Sequence, residues 1–433
     1  MRCREHHMMK KTLSFMFILF MTTFLWSQNY PYFPIGQSWL FPDARALAMG
    51  GAGTVSLATP GAMIYNPASL TLIDHNLTVD VTLNSRKLEE RRSYPLYDRF
   101  QSFLLNSTYV INNNWYPDFQ GGVAFWLPLG KTPWLIVAAG AYPEIDYHYT
   151  YLEEVRENVF GDQLIAYNRI EATGRLRRYG GALAAALPPL PALSLGVQVG
   201  FLQGEATYQS EVNYIQDAER LVFADQNREL TNTPLLLSFG SLYRFNERIS
   251  AGVDAVLPYQ VNFKSLSGGT ELSETIEYPL KLNAGFEFRA RQQLQARLNI
   301  DVGYEFWSDK KYTTQIGGNI PENQNFDDVF YFKTGIEHIF FNQIPFRVGA
   351  QYKTSYLARG TTQTLIGVGT GFFRKSWKVD VAGAFGRISY RWEDLFDDAL
   401  FVDDPNFQSR IDLDTVDETT FLMMLSVKYA LDF

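Results

Sequence analysis

Hydrophobic and polar residues alternate with a period of two along most of the chain after Asn76. In the clearest segment the apolar positions are Leu294, Ala296, Leu298, Ile300, Val302, Tyr304 and Phe306, and polar residues or glycine stand between them. The same alternation recurs in three further segments, 249–264, 276–288 and 346–353. This period is that of a β-strand with one apolar face, and no segment after Asn76 keeps a 3.6-residue apolar period over the length of a helix. The pattern predicts an all-β protein.

The predicted strands are longer than the roughly 5 or 6 residues usual in soluble proteins, and a tilted strand crosses the hydrocarbon layer of a membrane in about 9–11 residues. They lie near residues 76–86, 119–128, 134–150, 164–187, 192–213, 230–245, 248–264, 275–289, 293–307, 327–340, 345–358, 361–373, 376–391 and 419–433. This makes fourteen strands. The stretch 100–111 stays open: it is either part of an external loop or a further strand, which would allow sixteen.

Two architectures fit long strands with one apolar face. In a large soluble β-sandwich the apolar faces would meet in a core, but this leaves the aromatic residues at strand ends, such as Tyr304 and Phe306, without an explanation. In a transmembrane barrel those positions form interfacial girdles. Short turns such as 246–248 also alternate with long polar loops such as 308–325, which is typical of a barrel. The barrel must close, because each unpaired backbone group in lipid costs several kcal/mol.

The N-terminus has the layout of a secretory signal peptide covering residues 1–27. Lys10 and Lys11 precede an apolar run from Leu13 to Trp26, and Ser27 is a small residue suited to cleavage. The run is shorter than the about 20 residues that a spanning helix needs, so a retained anchor is the weaker alternative. Residues 2–7 are unusual ahead of such a signal, and translation could start at Met1, Met8 or Met9.

The last strand indicates where the exported chain inserts. Its outward positions would be Phe421, Met423, Leu425, Val427, Tyr429, Leu431 and Phe433, and its inward positions Ser426, Lys428 and Asp432. An aromatic C-terminus on such a strand, here Tyr429 and Phe433, resembles the signal that the bacterial barrel-assembly machinery reads. We therefore expect the outer membrane of a Gram-negative bacterium, with that machinery, membrane lipid and lipopolysaccharide as partners.

Composition excludes several function classes. Removal of residues 1–27 takes away four basic residues and one acidic residue and changes the formal net charge from −8 to −11, which argues against nucleic acid. The only cysteine, Cys3, lies in the removed segment, and His75, His148 and His338 are far apart, so we expect no metal site and no cofactor. No GxSxG motif is present and nothing indicates an enzyme. The segment 393–418 holds ten acidic residues and one arginine; it reads as a solvated loop or, alternatively, as a holder of divalent cations.

Residues 28–75 do not alternate, and they contain the sequence "RALAMGGAG" from Arg45 followed by "YNPASL" from Tyr65. This pattern, placed directly before the first strand, resembles the N-terminal region of the long-chain fatty acid transporter (FadL) superfamily, including its PorV-type relatives. The resemblance implies three parts: a signal peptide (1–27), an N-terminal hatch inside the lumen (28–75) and a fourteen-stranded outer-membrane barrel (76–433). It also implies that five residues lie in the hatch along the ligand path, namely Gly50, Gly51, Asn66, Pro67 and Ala68.

The resemblance implies one function and leaves two alternatives. The first is passive uptake of a hydrophobic, fatty-acid-like small molecule through a hatch-plugged barrel. The second is a PorV-type subunit that docks proteins of a secretion or surface-attachment system. A structural barrel or general porin is the third, although a plug would block a porin. The predicted inward positions carry mixed charges rather than an apolar track: Arg297, Asp301, Glu305, Arg347 and Lys353.

Two prolines lie in consecutive predicted strands. A symmetric hairpin around Gly268 and Gly269 would place Pro258 opposite Pro279, and neither residue can donate a hydrogen bond to the ladder. We therefore predict a lateral opening there, through which an apolar ligand would leave the lumen into the membrane.

Overall fold

The computed structural model describes residues 35–38, 41–127, 134–156, 163–187, 190, 192–215, 219–267, 270–290, 295–314, 326–340, 344–356, 362–401 and 413–432. Residues 1–34, with the predicted signal peptide, and Phe433 lie outside these ranges. None of the helices in the described ranges is long and apolar enough to span a membrane.

Fourteen antiparallel strands form one sheet, five of them in two segments. Their bounds are β1 Leu77–Tyr97, β2 Phe103–Leu127, β3 Leu135–Asp146 and Tyr149–Arg156, β4 Leu164–Ala186, β5 Leu193–Tyr214, β6 Arg220–Leu230 and Leu235–Arg244, β7 Ile249–Val256 and Tyr259–Ser267, β8 Thr270–Tyr278 and Lys281–Arg289, β9 Ala296–Glu305 and Tyr312–Thr314, β10 Val329–Ile339, β11 Pro345–Thr354, β12 Thr362–Arg374, β13 Trp377–Trp392 and β14 Asp414–Leu431.

The sheet closes on itself. Each strand pairs with the next, and β1 pairs with β14 from Leu77 opposite Leu431 to Ser93 opposite Thr415. The predicted barrel and its strand number are therefore confirmed. The stretch 100–111 belongs largely to β2, which begins at Phe103 and pairs with the upper part of β1. The sixteen-stranded alternative is wrong, because this stretch extends an existing strand and adds none.

The outward face carries the apolar set of the alternation. Around the barrel the exposed side chains include Val81, Leu83, Val253, Phe286, Phe346, Val348, Ile366, Val368, Val381, Phe385, Met423 and Leu425. The intervening residues point inward and are polar in many strands, such as Asp301, Glu337 and Arg347, each at most 3% exposed. A contiguous apolar belt of this extent needs lipid around it, and the polar lumen needs partners inside.

The apolar residues of β7 and β8 do not all lie on the same side of the barrel wall. The prediction of one apolar face along each of these strands was wrong. The sequence pattern placed all apolar residues of 249–263 on one face and all those of 276–288 on one face. Tyr259, Val261 and Phe263 instead point into the lumen, as do Ile276 and Tyr278, each at most 7% exposed. In the lower segments the apolar residues face outward, for example Val253 at 54% and Phe286 at 38%.

The inversion occurs at the two prolines. Val256 pairs with Lys281 and Tyr259 with Tyr278, so Pro258 and Pro279 lie between these two pairs, where both strands are interrupted. Inward residues on either side of each break are three positions apart rather than an even number, which reverses the alternation. Its physical reason is a change of surroundings: apolar residues face lipid below the breaks and the interior above them.

Residues 41–73 form a plug segment inside the barrel. It contains one short helix, α1 (Ala44–Ala48), and two 3₁₀ helices, Pro60–Ile64 and Pro67–Leu72. The helices contact opposite parts of the wall: α1 lies against β11 to β14, and Pro67–Leu72 lies against β4, β5 and β6. The segment is almost wholly buried, so the barrel encloses it.

Glycines allow the backbone of the plug to touch the wall. A Cβ atom on Gly349 of β11 would lie 2.1 Å from the Met49 carbonyl carbon, and one on Gly50 would lie 2.4 Å from the Ala350 nitrogen. Gly50 also has a φ of 65°, which favours glycine. The Asn66 side chain accepts from the Ala68 amide at 3.0 Å and donates to the Ser241 carbonyl at 3.0 Å. It thereby caps the second 3₁₀ helix and joins it to β6.

We expect Gly349→Ala to lower the free energy of unfolding by about 1–3 kcal/mol, because the added methyl group meets plug backbone that cannot move aside. Gly383→Ala is the matched control, since its Cβ would lie 3.7 Å from Phe421 in ordinary contact. Urea unfolding followed by heat-modifiable gel mobility measures both. Equal effects of the two substitutions would contradict close packing of the plug.

Candidate ligand cavity and wall opening

A cavity of about 170 Å³ lies in the lumen between the plug segment and the upper strands. Plug residues Phe41, Thr54 and Tyr65 form one side. The strand side chains around it come from β3, β4 and β7 to β12: Glu144, Ile145, Arg178, Asp254, Val256, Tyr259, Tyr278, Lys281, Asn283, Glu305, Tyr331, Lys333, Gln351, Lys353 and Gln363. The size is comparable to cavities that hold a single aromatic ring.

An aromatic cluster of Tyr259, Tyr278, Trp307, Phe326 and Tyr356 borders the cavity on its upper side. Tyr259 and Tyr278 stack at 4.8 Å between ring centroids, and Trp307 stacks on Tyr356 at 4.5 Å. Tyr278 meets Trp307 edge-on at 5.8 Å, which joins the two pairs. The inversion at Pro258 and Pro279 creates this cluster, because it turns Tyr259 and Tyr278 inward. The cluster offers faces and edges on which an apolar ring can pack.

Below the aromatic cluster the cavity wall is charged. Arg178 pairs with Glu144 at 2.5 Å, Lys281 lies 3.9 Å from the same carboxylate, and Lys353 pairs with Glu305 at 3.1 Å. These pairs cancel most of the charge, as buried ions require. Tyr65 of the plug stays neutral, since burial and then the nearby Asp301 carboxylate raise its pKa well above the usual value. The cavity is therefore aromatic on one side and polar on the other.

Residues 35–37 run across the cavity ahead of the plug segment. The Ile35 carbonyl accepts a hydrogen bond from the Tyr278 hydroxyl at 2.6 Å, and Gln37 pairs with Asp146 of β3 through two backbone bonds of 2.9 and 2.8 Å. Gly36 lies close to Ile145, where a Cβ atom would be 2.4 Å from the Ile145 side chain. The N-terminal chain thus bridges the aromatic cluster and β3.

A buried ion network holds the plug. Arg45 of α1 donates to both oxygens of Glu337 at 3.1 and 3.3 Å, and Arg347 donates to the same carboxylate at 2.5 Å. On β9, the Asp301 carboxylate accepts from the amides of Gly53 and Thr54 at 2.7 and 2.9 Å. These buried bonds join the plug to β9 and β10 and, through the ion pair of Glu337 with Arg347, to β11, and they are charge-assisted.

The wall has an unpaired stretch between β2 and β3. These strands pair only from Gly121 opposite Ala141 to Leu127 opposite Leu135, and above this point the described residues of the two strands form no ladder. β3 carries a bulge at residues 143–145, and Pro143 has no N–H. We call this stretch the wall gap. It starts beside Phe119, which is 62% exposed in the apolar belt.

Side chains replace the missing ladder at the wall gap. Arg177 of β4 donates to the Phe119 carbonyl at 2.8 Å, lies over the Phe119 ring and pairs with Asp118. Higher up, the Asn114 amide donates to the Thr150 carbonyl at 2.9 Å. These bonds satisfy backbone groups that lipid could not satisfy, so the gap can persist without a neighbouring strand.

A second cavity of about 30 Å³ lies against the wall gap. Four of its lining residues, Gln37, Phe41, Glu144 and Ile145, also line the larger cavity. Its other side includes Tyr116, Asp118 and Pro143 at the gap and Asn84 of the neighbouring β1. The smaller cavity therefore lies between the larger cavity and the wall gap.

The structure places the predicted site residues in three separate regions. Gly50, Gly51, Asn66, Pro67 and Ala68 are buried in the plug, and none of them lines the larger cavity, so their part in a ligand path stays a prediction. Pro258 and Pro279 lie at the strand breaks, and an opening there also stays a prediction. Tyr429 faces outward against Trp377 at 4.5 Å, while Phe433 lies outside the described residues; the insertion signal remains untested.

Sequence reasoning missed the aromatic cluster and the wall gap. An unbroken alternation across each proline predicts Tyr259 and Tyr278 on the outer face, whereas the strand breaks turn them inward. Pro143 is a usable signal for the gap, since a proline within a strand weakens pairing in the same way as Pro258. Nothing in the local pattern of 103–120 shows that its pairing with β3 ends early.

Comparison with known proteins finds no matching family model and no matching curated protein. Solved structures do match in fold. A Pseudomonas aeruginosa FadL homologue has a TM-score of 0.62 at 12% identity, covering 91% of this chain and 99% of that one. The Pseudomonas putida toluene transporter TodX has a TM-score of 0.57 at 12% identity, covering 90% and 99%. The Ralstonia pickettii toluene transporter TbuX has a TM-score of 0.57 at 16% identity, covering 90% and 98%.

At these identities the likeness shows the fold. The chain has the transmembrane β-barrel fold of FadL-type proteins, as the sequence resemblance implied. The neighbours named above are a FadL homologue and two toluene transporters rather than enzymes.

We expect Arg45→Ala to loosen the plug. Two charge-assisted hydrogen bonds to Glu337 are lost while Arg347 still neutralises that carboxylate, so stability should fall by about 2–3 kcal/mol. Single-channel recording in planar bilayers should show ion conductance above that of the unsubstituted protein. Arg297→Ala is the control: Arg297 lies 3.7 Å from the same carboxylate but belongs to the wall. If Arg45→Ala conducts no more than Arg297→Ala, the network does not hold the plug.

Proposed function

We propose that the protein is an outer-membrane channel for passive uptake of small hydrophobic molecules. In this proposal the chain is exported to the outer membrane by a signal peptide that is then cleaved. The observation that carries the proposal is the aromatic-walled cavity inside a closed barrel, together with its side connection to the wall gap. The fold likeness to toluene transporters supports the same class of cargo. The proposal assigns the protein no enzymatic role.

The route we propose is lateral. A molecule enters from the external side, binds beside the aromatic cluster, passes the second cavity and leaves through the wall gap into the outer leaflet. Two physical arguments support this route over a straight one. The plug segment lies across the lumen between opposite parts of the wall. An apolar molecule that passed the charged groups around the plug would also separate buried ions from their partners without replacing the lost bonds. Residues 41–73 act as the hatch in this proposal.

The cargo we propose is a single-ring compound rather than a long acyl chain. A cavity of about 170 Å³ suits one ring, and its rim is charged by Lys281, Lys353 and Glu305. A fatty-acid-like cargo, which the sequence resemblance implied, stays a prediction that the same uptake measurement can test with octanoate.

Uptake of radiolabelled toluene by intact cells tests the route. Asn84→Trp fills the second cavity at the wall gap, and we expect the rate to fall to that of cells lacking the protein. The double variant Pro258→Ala and Pro279→Ala restores two ladder donors at the strand breaks. If the wall gap is the exit, a proline variant that still binds toluene in equilibrium dialysis should transport normally. Loss of uptake in a proline variant that still binds toluene, with normal uptake in Asn84→Trp, would point to an exit at the prolines instead.

A second candidate function, a docking subunit for a secretion or surface-attachment system, has one observation in its favour. The β1–β2 hairpin extends beyond the apolar belt, and its tip is apolar and exposed: Phe100 is 88% exposed, Phe103 59%, Leu104 58% and Leu105 52%. Apolar side chains gathered on a tip that water surrounds indicate a surface that a partner covers.

We expect the double variant with Phe100→Ser and Phe103→Ser to leave toluene uptake unchanged if the protein acts only as a channel. Under the docking function, the unsubstituted protein purified in mild detergent would carry a stoichiometric protein partner, identifiable by mass spectrometry, and the double variant would lose it. Val81→Ser and Leu83→Ser, in the belt, serve as the control for loss of exposed apolar area. Absence of any stoichiometric partner in the unsubstituted preparation would reject docking.

A further inference from the structure

Three residues that line the larger cavity each have a buried oxygen atom with no hydrogen-bond partner among the described residues. They are Oε1 of Glu144, which has the Lys281 ammonium 3.9 Å away, Oδ1 of Asp254 and the hydroxyl of Tyr259. Asp254 is 3% exposed and Tyr259 is 7% exposed. The other Asp254 oxygen accepts from the Asn283 amide at 2.7 Å, so that carboxylate is held in place. Buried polar atoms are rarely left unpaired, because the loss of hydration is not repaid.

Lys333 supplies a donor to the same cavity. Its ammonium group lies over the rings of Tyr65 and Tyr331, 5.1 and 4.7 Å from their centroids, and no described carboxylate lies within 4 Å of it. The other cations of the cavity are held by Glu144 and Glu305. Lys333 and Asp254 are therefore the acidic and basic side chains of the cavity that have no ion-pair partner within 4 Å among the described residues.

The positions of these groups separate the cavity into two parts. Asp254 lies below the break in β7 and Tyr259 directly above it, and Tyr259 stacks in the aromatic cluster. If the ring of a bound aromatic molecule packs against the aromatic cluster, a polar substituent on that ring would point toward Asp254 and Lys333. Such an arrangement orients a molecule that has one apolar and one polar end.

We propose that the cavity selects aromatic molecules that carry a neutral hydroxyl group, such as phenols, over the plain hydrocarbons. This rests on the proposed uptake function and names its substrate class. A hydroxyl has one donor and two acceptor positions, so it can donate to Asp254 Oδ1 and accept from both the Tyr259 hydroxyl and the Lys333 ammonium. A carboxylate would face Asp254 and an ammonium would face Lys333, and a hydrocarbon leaves all of these groups unpaired.

Phenol and toluene test the proposal, because they differ only by a hydroxyl in place of a methyl group. Their dissociation constants are measured by equilibrium dialysis of the detergent-solubilised full chain against detergent-only blanks. The readout is the ratio of the toluene constant to the phenol constant, which removes the difference in hydration between the two ligands when variants are compared. We expect Tyr259→Phe and Asp254→Leu each to lower this ratio by about tenfold, the effect of one lost hydrogen bond to a buried group.

Tyr259→Phe keeps the stacked ring and removes only the hydroxyl, so it tests the proposal even if Asp254→Leu fails to fold. Tyr352→Phe is the matched control and should leave the ratio unchanged, since Tyr352 alternates with inward residues and lines neither cavity. An unchanged ratio in Tyr259→Phe and in folded Asp254→Leu overturns the hydroxyl selectivity, while toluene binding would still support the uptake function. Failure of both ligands to bind the unsubstituted protein overturns the uptake function itself.

Discussion

The structure depends on one constraint: each outward side chain must match the medium around it, and each backbone group in lipid must be paired. Within the apolar belt this constraint gives a closed ladder with Val81, Val253 and Ile366 outward. Above the belt water replaces lipid, and the same strands must turn their apolar residues inward. The breaks at Pro258 and Pro279 allow that change, because the inward positions on either side of each break are three positions apart rather than two or four.

The inversion makes the cavity possible. Without it Tyr259 and Tyr278 would point outward, and their polar neighbours Gln260 and Glu277 would point into the lumen at that level. With it, an aromatic surface lies directly above Asp254 and Lys281. The barrel therefore gains a two-sided cavity from a local change of facing, with no change in the order or number of strands.

The plug and the wall gap satisfy the same constraint by different means. The plug is polar backbone inside a polar lumen, so it is held by glycine contacts at Gly349 and by the Arg45–Glu337 pair. At the wall gap the ladder is missing, and Arg177 donates to the Phe119 carbonyl in its place. The side of the barrel has its weaker pairing at the wall gap.

The sequence by itself determined the barrel, its strand number and the outward apolar face of most strands, since a period of two is a local signal. It predicted the inward charges Asp301 and Arg347 for the same reason. Only the tertiary structure decided the facing of Tyr259, the position of Asn66 beside Ser241 and the gap beside Pro143. The alternation of a strand is present in its local sequence. The level at which the wall leaves lipid is set by neighbours distant in sequence, and so is the point at which the pairing of two strands ends.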